Sequence, residues 1–267
     1  MVGRHQLAGL RGLLTGGSSG VGRALAVALA AEGVDLVITG RRHQRLLETA
    51  AAASEFAGRL VPLAGDLTDD DFRRQVVGDT CRELGGLDLM IAAAGAGAIG
   101  PFAESSPEVL RQIFEINFFA PAELLRLCLP ELSRGRMPAA VIVGSILGLH
   151  PLPLHAEYSA AKAAVHSFAA AVRPELTDRG VDLLLAALGP TESEFWDHLL
   201  SGNRPNWSAG RPLSATVTAA AIVRALATGR ASIRPGWRAK AFASLARLCP
   251  AAIDWAVRRK RRVAPRS

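Results

Sequence analysis

Gly12-Leu13-Leu14-Thr15-Gly16-Gly17-Ser18-Ser19-Gly20-Val21-Gly22 sets the fold of this 267-residue chain. Its first four residues make an apolar run short enough for a buried strand, and the residues after Gly20 take up helical spacing. Between the two, glycines let the chain turn sharply. Their backbone N–H groups then gather at the positive end of a helix, where a pyrophosphate is stabilised. The spacing is not the G-x-G-x-x-G of the general dinucleotide fingerprint. Taken alone, it also fits a tight strand-to-helix turn with no ligand.

Outward from this turn the same rhythm repeats. Apolar runs at 12–15, 34–39, 59–64, 87–92, 139–143 and 181–187 read as strands, with 232–234 as a seventh. Helical patterns fall at 20–32, 42–56, 69–84, 106–132, 156–178 and 214–228. This alternation predicts an α/β fold, a doubly wound, Rossmann-type parallel sheet of about seven strands with helices on both faces. Ser106-Pro107-Glu108 has the order of an N-cap, a first-turn proline and an acid, and Gly33 stands where a helix-ending glycine belongs. Pro130 would end its helix early or kink it. With no repeat, linker or break in composition, residues 1–267 read as a single Rossmann-fold domain. Residues 235–267 form a C-terminal amphipathic helical extension, with Trp237, Phe242, Leu245, Leu248, Ile253 and Trp255, and a basic tail. Three roles are open to it: a helix packed on the domain or covering the active site, a dimer contact, or a weak membrane-surface contact.

Hydrophobic residues make up 49% of the chain and aromatic ones 5%, which suits close-packed helices on a buried sheet and excludes disorder as the default. The formal net charge is +7, but Arg258, Arg259, Lys260, Arg261, Arg262 and Arg266 lie in the last ten residues without an acid. The basic excess therefore belongs to a tail, solvated or functional, and marks no nucleic-acid-binding surface on the fold. Cys81, Cys128 and Cys249 are widely spaced and match no metal or C-x-x-C pattern, so no metal site is expected and a reducing compartment fits best. The N-terminal Met-Val-Gly-Arg-His has no charged-then-apolar leader, and no apolar run approaches a bilayer span of about 20 residues. These features make the cytoplasm the expected location.

Tyr158 is the chain's one tyrosine, and Lys162 is the first of only three lysines, at 162, 240 and 260. T-G-x-x-x-G-x-G at Thr15–Gly22, with Tyr158-Ser159-Ala160-Ala161-Lys162, resembles the short-chain dehydrogenase/reductase family in its compact single-domain branch. The resemblance runs in order from about residue 10 to 193. It implies a catalytic tetrad of Asn117, Ser145, Tyr158 and Lys162. It implies cofactor contacts from Gly16, Ser18, Ser19, Gly20, Val21 and Gly22, from Asp66 and Leu67 at the adenine, and from Ala94 and Gly95. Tyr158 and Lys162 would also contact the cofactor, as would Gly189, Thr191 and Ser193 in a loop closing over the nicotinamide. Lys162 would bind the nicotinamide ribose, and Asn117 would hold a water linking Lys162 to solvent.

Elementary chemistry supports the core of this set. A free phenol, with a pKa of about 10, is a poor base at neutral pH. A lysine one helical turn away lies on the same face, and its charge favours phenolate. Tyr158 can then exchange a proton with a substrate oxygen, while the Ser145 hydroxyl hydrogen-bonds that oxygen as charge builds. Each residue also has a plain structural explanation; the order and spacing of all four together argue against it.

At the end of the second strand, Thr39-Gly40-Arg41-Arg42 carries an arginine pair where NAD-binding Rossmann proteins carry an acid. Arg41 is the candidate for a 2′-phosphate, which favours NADP(H) over NAD(H), and Arg42 reads as a first-turn surface residue. The family's Asn-Asn-Ala-Gly is here Ala92-Ala93-Ala94-Gly95, the proline before the nicotinamide loop is Leu188, and the loop's threonine is Ser193.

Apolar residues between Ser145 and Tyr158, with Phe195 and Trp196, imply a small carbonyl or alcohol substrate that is at least partly apolar, such as a 3-oxoacyl or lipid-like ketone. His150 and His155 read as loop polarity. Relatives commonly pair through the helices near 106–132 and 156–178, so a homodimer or homotetramer is expected by resemblance. A catalytically silent NADP(H)-sensing or interaction protein on the same fold is the alternative.

Overall fold

The structure, a computed structural model, describes residues 6–203 and 212–263. The N-terminal Met-Val-Gly-Arg-His and the end of the basic tail, with Arg266, lie outside the described residues. Seven strands form one parallel sheet: β1 (Arg11–Thr15), β2 (Asp35–Gly40), β3 (Leu60–Ala64), β4 (Leu89–Ala92), β5 (Ala139–Ser145), β6 (Asp182–Leu188) and β7 (Ser232–Ile233). Their order is β3-β2-β1-β4-β5-β6-β7, so the winding reverses between β1 and β4 and opens a crevice at their carboxyl ends. The register pairs Thr15 with both Thr39 and Ala92, and Ser145 with Leu188. The glycine turn, the arginine pair and the serine thus share one rim.

Successive strand residues bury on opposite faces. Leu14, Ile38 and Ile91 meet α1 (Gly20–Ala31) and α7 (Ala215–Leu226), while Leu13, Val37 and Met90 meet α3 (Asp70–Leu84), α5 (Ala120–Leu132) and α6 (Ala156–Thr177). The remaining helix of the first half, α2 (His43–Ala51), ends earlier than the pattern to 56 predicts. Gly33 follows α1 at φ +79°, as expected of a helix-ending glycine. Ser106 Oγ accepts from Val109 N at 3.3 Å, capping α4 (Pro107–Phe114) ahead of a first-turn proline.

The expected single helix over 106–132 is interrupted. A π-helical turn at Glu115–Phe119 separates α4 from α5. Pro121 has no N–H to give to the Asn117 carbonyl, and the helical register widens there. Pro130 lies inside α5 without ending it.

At the opposite rim, the buried Asp88 carboxylate accepts from Arg11 N and Nε, both at 2.9 Å, from Arg11 Nη2 at 3.0 Å and from Arg136 N at 2.6 Å. Burial alone would raise its pKa, but these bonds hold it below the ordinary carboxylate value.

The C-terminal segment is two helices, α8 (Trp237–Leu248) and α9 (Pro250–Val263). Ala239 of α8 packs beside Gly189, and His150 Nε2 meets Asp254 of α9 at 3.1 Å. The extension therefore lies on the domain, against the loops that follow β5 and β6. His150 has a carboxylate partner that the local sequence does not disclose.

Candidate active site

The glycine turn is shaped by contacts that a side chain would destroy. Gly16 has φ +76°, and a Cβ there would fall 2.7 Å from Ala94 N. Gly20 has φ +53°, and its Cβ would fall 2.8 Å from Ser193 Cβ, so the loop after β6 lies directly over the turn. Ser19, the N-cap of α1, makes no side-chain cap bond, which leaves the first N–H groups of α1 without that partner. Ser18 and Gly22 are buried and Val21 is half-buried. This cradle fits a dinucleotide pyrophosphate.

Thr15 Oγ1 accepts from Ala93 N and Ala94 N, both at 3.2 Å. This hydroxyl holds the backbone after β4, and so the missing amides at Ala92 and Ala93 leave that path intact. Beyond it, Asp66, Arg41, Thr68, Glu115 and Ile116 line an open groove of about 520 Å³. Asp66 Oδ1 accepts from Thr68 N and Thr68 Oγ1, both at 2.9 Å. The Leu67 carbonyl accepts from Arg73, whose guanidinium also reaches Glu115 Oε1 at 3.0 Å and pairs with Asp70.

Arg42 is no bystander. Its Nη1 donates to Glu194 Oε2 at 2.9 Å and its Nη2 to Ser18 Oγ at 3.4 Å. It thereby links the start of α2, the glycine turn and the loop after β6, which corrects its reading as a surface residue. Arg41 is exposed and faces the groove.

At the centre, β5 delivers Ser145 and α6 delivers Tyr158 and Lys162 one turn apart. Ser145 Oγ accepts from Leu147 N at 3.1 Å and stands near enough to the Tyr158 hydroxyl to favour its ionisation. Lys162 Nζ donates to the Val143 carbonyl at 2.9 Å and stands 5.8 Å from the Tyr158 ring centre. Loss of hydration pushes the Tyr158 phenol up to about 12, against the opposing effect of Ser145, and lowers the Lys162 ammonium to about 8.

Asn117, buried in the π-helical turn, donates through Nδ2 to the Ala96 and Ile113 carbonyls, both at 2.9 Å. Its Oδ1 is buried without a partner and borders the space over Gly95 that Lys162 Nζ also faces. All four tetrad positions therefore converge. Thr191 Oγ1 donates to the Gly189 carbonyl at 3.0 Å, and Ser193 Oγ accepts from Phe195 N at 3.3 Å.

The wall beside Tyr158 is aromatic and closed by loop contacts. Phe195 meets the Tyr158 ring edge-on at 5.6 Å, and Leu200 N donates to the Gly97 carbonyl at 2.8 Å, tying the loop after β6 to that after β4. His155 Nδ1 sits 2.9 Å from the Pro153 carbonyl, and burial lowers its pKa, which agrees with a structural role. Residues that sequence reasoning missed are Arg42, Thr15 and Arg73. Only Thr15 had a local signal, as the last residue of a strand entering the turn.

A parallel sheet with its glycine turn, tyrosine and lysine on one rim is a Rossmann-type architecture. The chain belongs to the short-chain dehydrogenase family, whose model matches residues 12–203. It is 33% identical over 193 residues to a short chain dehydrogenase of Pseudocercospora fijiensis, covering 71% of this chain and 62% of that protein, so it spans less than two thirds of that relative's length. It is 29% identical over 255 residues to a hydroxysteroid 11-beta-dehydrogenase 1-like protein of Macaca fascicularis, covering 94% of this chain and 87% of the other. The crystal structure of a short-chain dehydrogenase from Streptomyces avermitilis superposes with a TM-score of 0.80 at 26% identity, covering 96% and 98% of the two chains.

Proposed function

We propose that this chain is an NADP(H)-dependent enzyme that interconverts a carbonyl and an alcohol, in the reductase direction, on an at least partly apolar substrate. The observation that carries this reading is the convergence of Ser145, Tyr158 and Lys162 beneath the edge of Phe195.

When bound, the nicotinamide supplies or takes up the hydride. Ser145 orients the substrate oxygen and donates to it as negative charge develops. Tyr158 gives that oxygen a proton in reduction and takes one in oxidation. Lys162 lowers the cost of phenolate and binds the ribose, and Asn117 Oδ1 holds a water beside Lys162 Nζ. The orphaned Oδ1 supports this last role, since a buried acceptor without a partner is costly. Gly16, Ser18, Ser19, Gly20, Val21 and Gly22 hold the pyrophosphate. Asp66 and Leu67 meet the adenine, Ala94 and Gly95 contact the cofactor, and Gly189, Thr191 and Ser193 close over the nicotinamide.

Arg41 supports the NADP(H) preference, because it is an exposed fork of donors in the groove that Asp66 shares. The name of the macaque relative, a hydroxysteroid dehydrogenase-like protein, agrees with an apolar substrate. Exposed Leu110 and Phe119, on α4 and the π-helical turn, support pairing of copies through these helices. One domain in the cytoplasm, with the C-terminal extension resting on it, completes the reading.

An NADPH-oxidation screen over ketones, steroids, quinones and 3-oxoacyl thioesters tests it. Turnover of an apolar carbonyl is expected, and activity confined to small polar sugars would overturn the substrate class. Replacing Arg41 with Ala should cost NADPH about ten- to a hundredfold in kcat/KM, the loss of one charged hydrogen-bonding partner, and NADH far less. Equal losses for both cofactors would remove Arg41 from 2′-phosphate recognition.

A further inference from the structure

The outer face of α8 carries the wrong residues for water. At about 100° per residue, Trp237, Ala241, Leu245 and Leu248 fall in one stripe. All four are exposed, Trp237 to 74% and Leu248 to 82%. Ala239, Phe242, Ala243 and Ala246 on the opposite face are buried or half-buried, so the helix is already held by its other side. Arg238 borders the stripe on one flank and Lys240 and Arg247 on the other, all exposed. On α9, Trp255 is 62% exposed, with the Arg259 guanidinium 5.4 Å from its ring centre. Five consecutive cations, Arg258, Arg259, Lys260, Arg261 and Arg262, follow.

We propose that α8 and α9 are a docking surface for an anionic lipid membrane, with the stripe among the upper acyl chains and the cations at the headgroups. An apolar stripe flanked by basic residues is the pattern of a helix lying in the interface plane, where long cationic side chains reach up to phosphate. Among the described residues no helix is long and apolar enough to cross a bilayer, so the surface lies on the membrane. A second copy of the chain fits less well. A two-fold contact through this face brings Arg238, Lys240 and Arg247 of one copy towards those of another, and like charges oppose it. An anionic membrane supplies the counter-charge instead. The surface lies outside the catalytic machinery and does not depend on the reading given for it.

The test is flotation of the full-length protein, NADPH present, with vesicles of phosphatidylcholine alone or with about a third phosphatidylserine, at low and high salt. Binding to the anionic vesicles is expected, falling roughly tenfold with neutral vesicles or high salt. The double variant Trp237→Ser/Leu248→Ser should float roughly tenfold less with an unchanged Tm, since both positions face solvent. A second variant, with Gln at the five consecutive cations, should lose the salt-sensitive part. Absence of flotation with anionic vesicles overturns the proposal, and so does flotation indifferent to both variants. A dimer that falls apart in Trp237→Ser/Leu248→Ser without vesicle binding assigns the stripe to a second copy and also overturns it.

Discussion

Half-buried Tyr158 and buried Lys162 share one face of α6, and loss of hydration works on them in opposite senses. It raises the phenol to about 12 and lowers the ammonium to about 8, so that in each case the uncharged form gains. Reduction uses the protonated phenol, which is the form present across neutral pH. Its kcat/KM is expected to be flat there. Oxidation uses phenolate, so its kcat/KM should climb about tenfold per pH unit below the phenol pKa. Below about pH 8 the Lys162 ammonium is charged, so Lys162→Met removes a neighbouring cation there and should lower oxidation at neutral pH, moving that part of the profile to the alkaline side. An unmoved profile would separate Lys162 from phenol ionisation. Tyr158→Phe should cost about a hundred- to ten-thousandfold in kcat/KM, the usual range for losing a positioned acid or base. NADP(H) should still raise the Tm of this variant, because cofactor binding to the native state is independent of the proton transfer. Turnover near wild type would end the mechanism.

Among the elements, the five inner strands were legible because each is buried on both faces and shows as a continuous apolar run bounded by turn residues. Tyr158 and Lys162 were legible because helical spacing alone brings them together. Arg42 was not, because its partner Glu194 lies 152 residues away and only the closed sheet brings the two loops together. The π-helical turn was missed for a different reason. Pro121 near the middle of a long helical pattern can bend, end or widen a helix, and the sequence does not choose among these. Here it widens the helix around Asn117, whose amide turns to the Ala96 and Ile113 carbonyls and leaves Oδ1 facing the lysine. Pro121→Ala restores an N–H to that stretch and lets the regular register compete. Stability should hold or rise, by up to roughly 3 kcal/mol, while kcat falls as Asn117 rotates out of place. Unfolding curves and kcat measured on the same preparation check both halves. Unchanged kcat would detach the turn from the site.

At the scale of the molecule the sheet divides its work between two rims. The carboxyl ends of the strands carry the glycine turn, Ser145 and the loops over them. The opposite rim carries the buried Asp88, clasped by Arg11 and by Arg136 N, far from any reacting group along the strands. Asp88→Ala leaves the Arg11 head and two N–H groups without their acceptor. Arg11 is a quarter exposed and can rehydrate, so the loss belongs near the lower end for a broken buried pair, about 3 kcal/mol. The sign with pH follows from the depressed native pKa. The carboxylate's contribution is complete above its unfolded value of about 3.9 and fades as pH falls through the native value. The gap in urea midpoint between wild type and Asp88→Ala should therefore be widest near neutrality and narrow in acid. Because Asp88 lies at the ends of the strands away from the glycine turn and Ser145, kcat of the folded variant at neutral pH should match wild type. A variant that lost turnover while still folded would show that this rim shapes the site at the other end, and the division of work would fail.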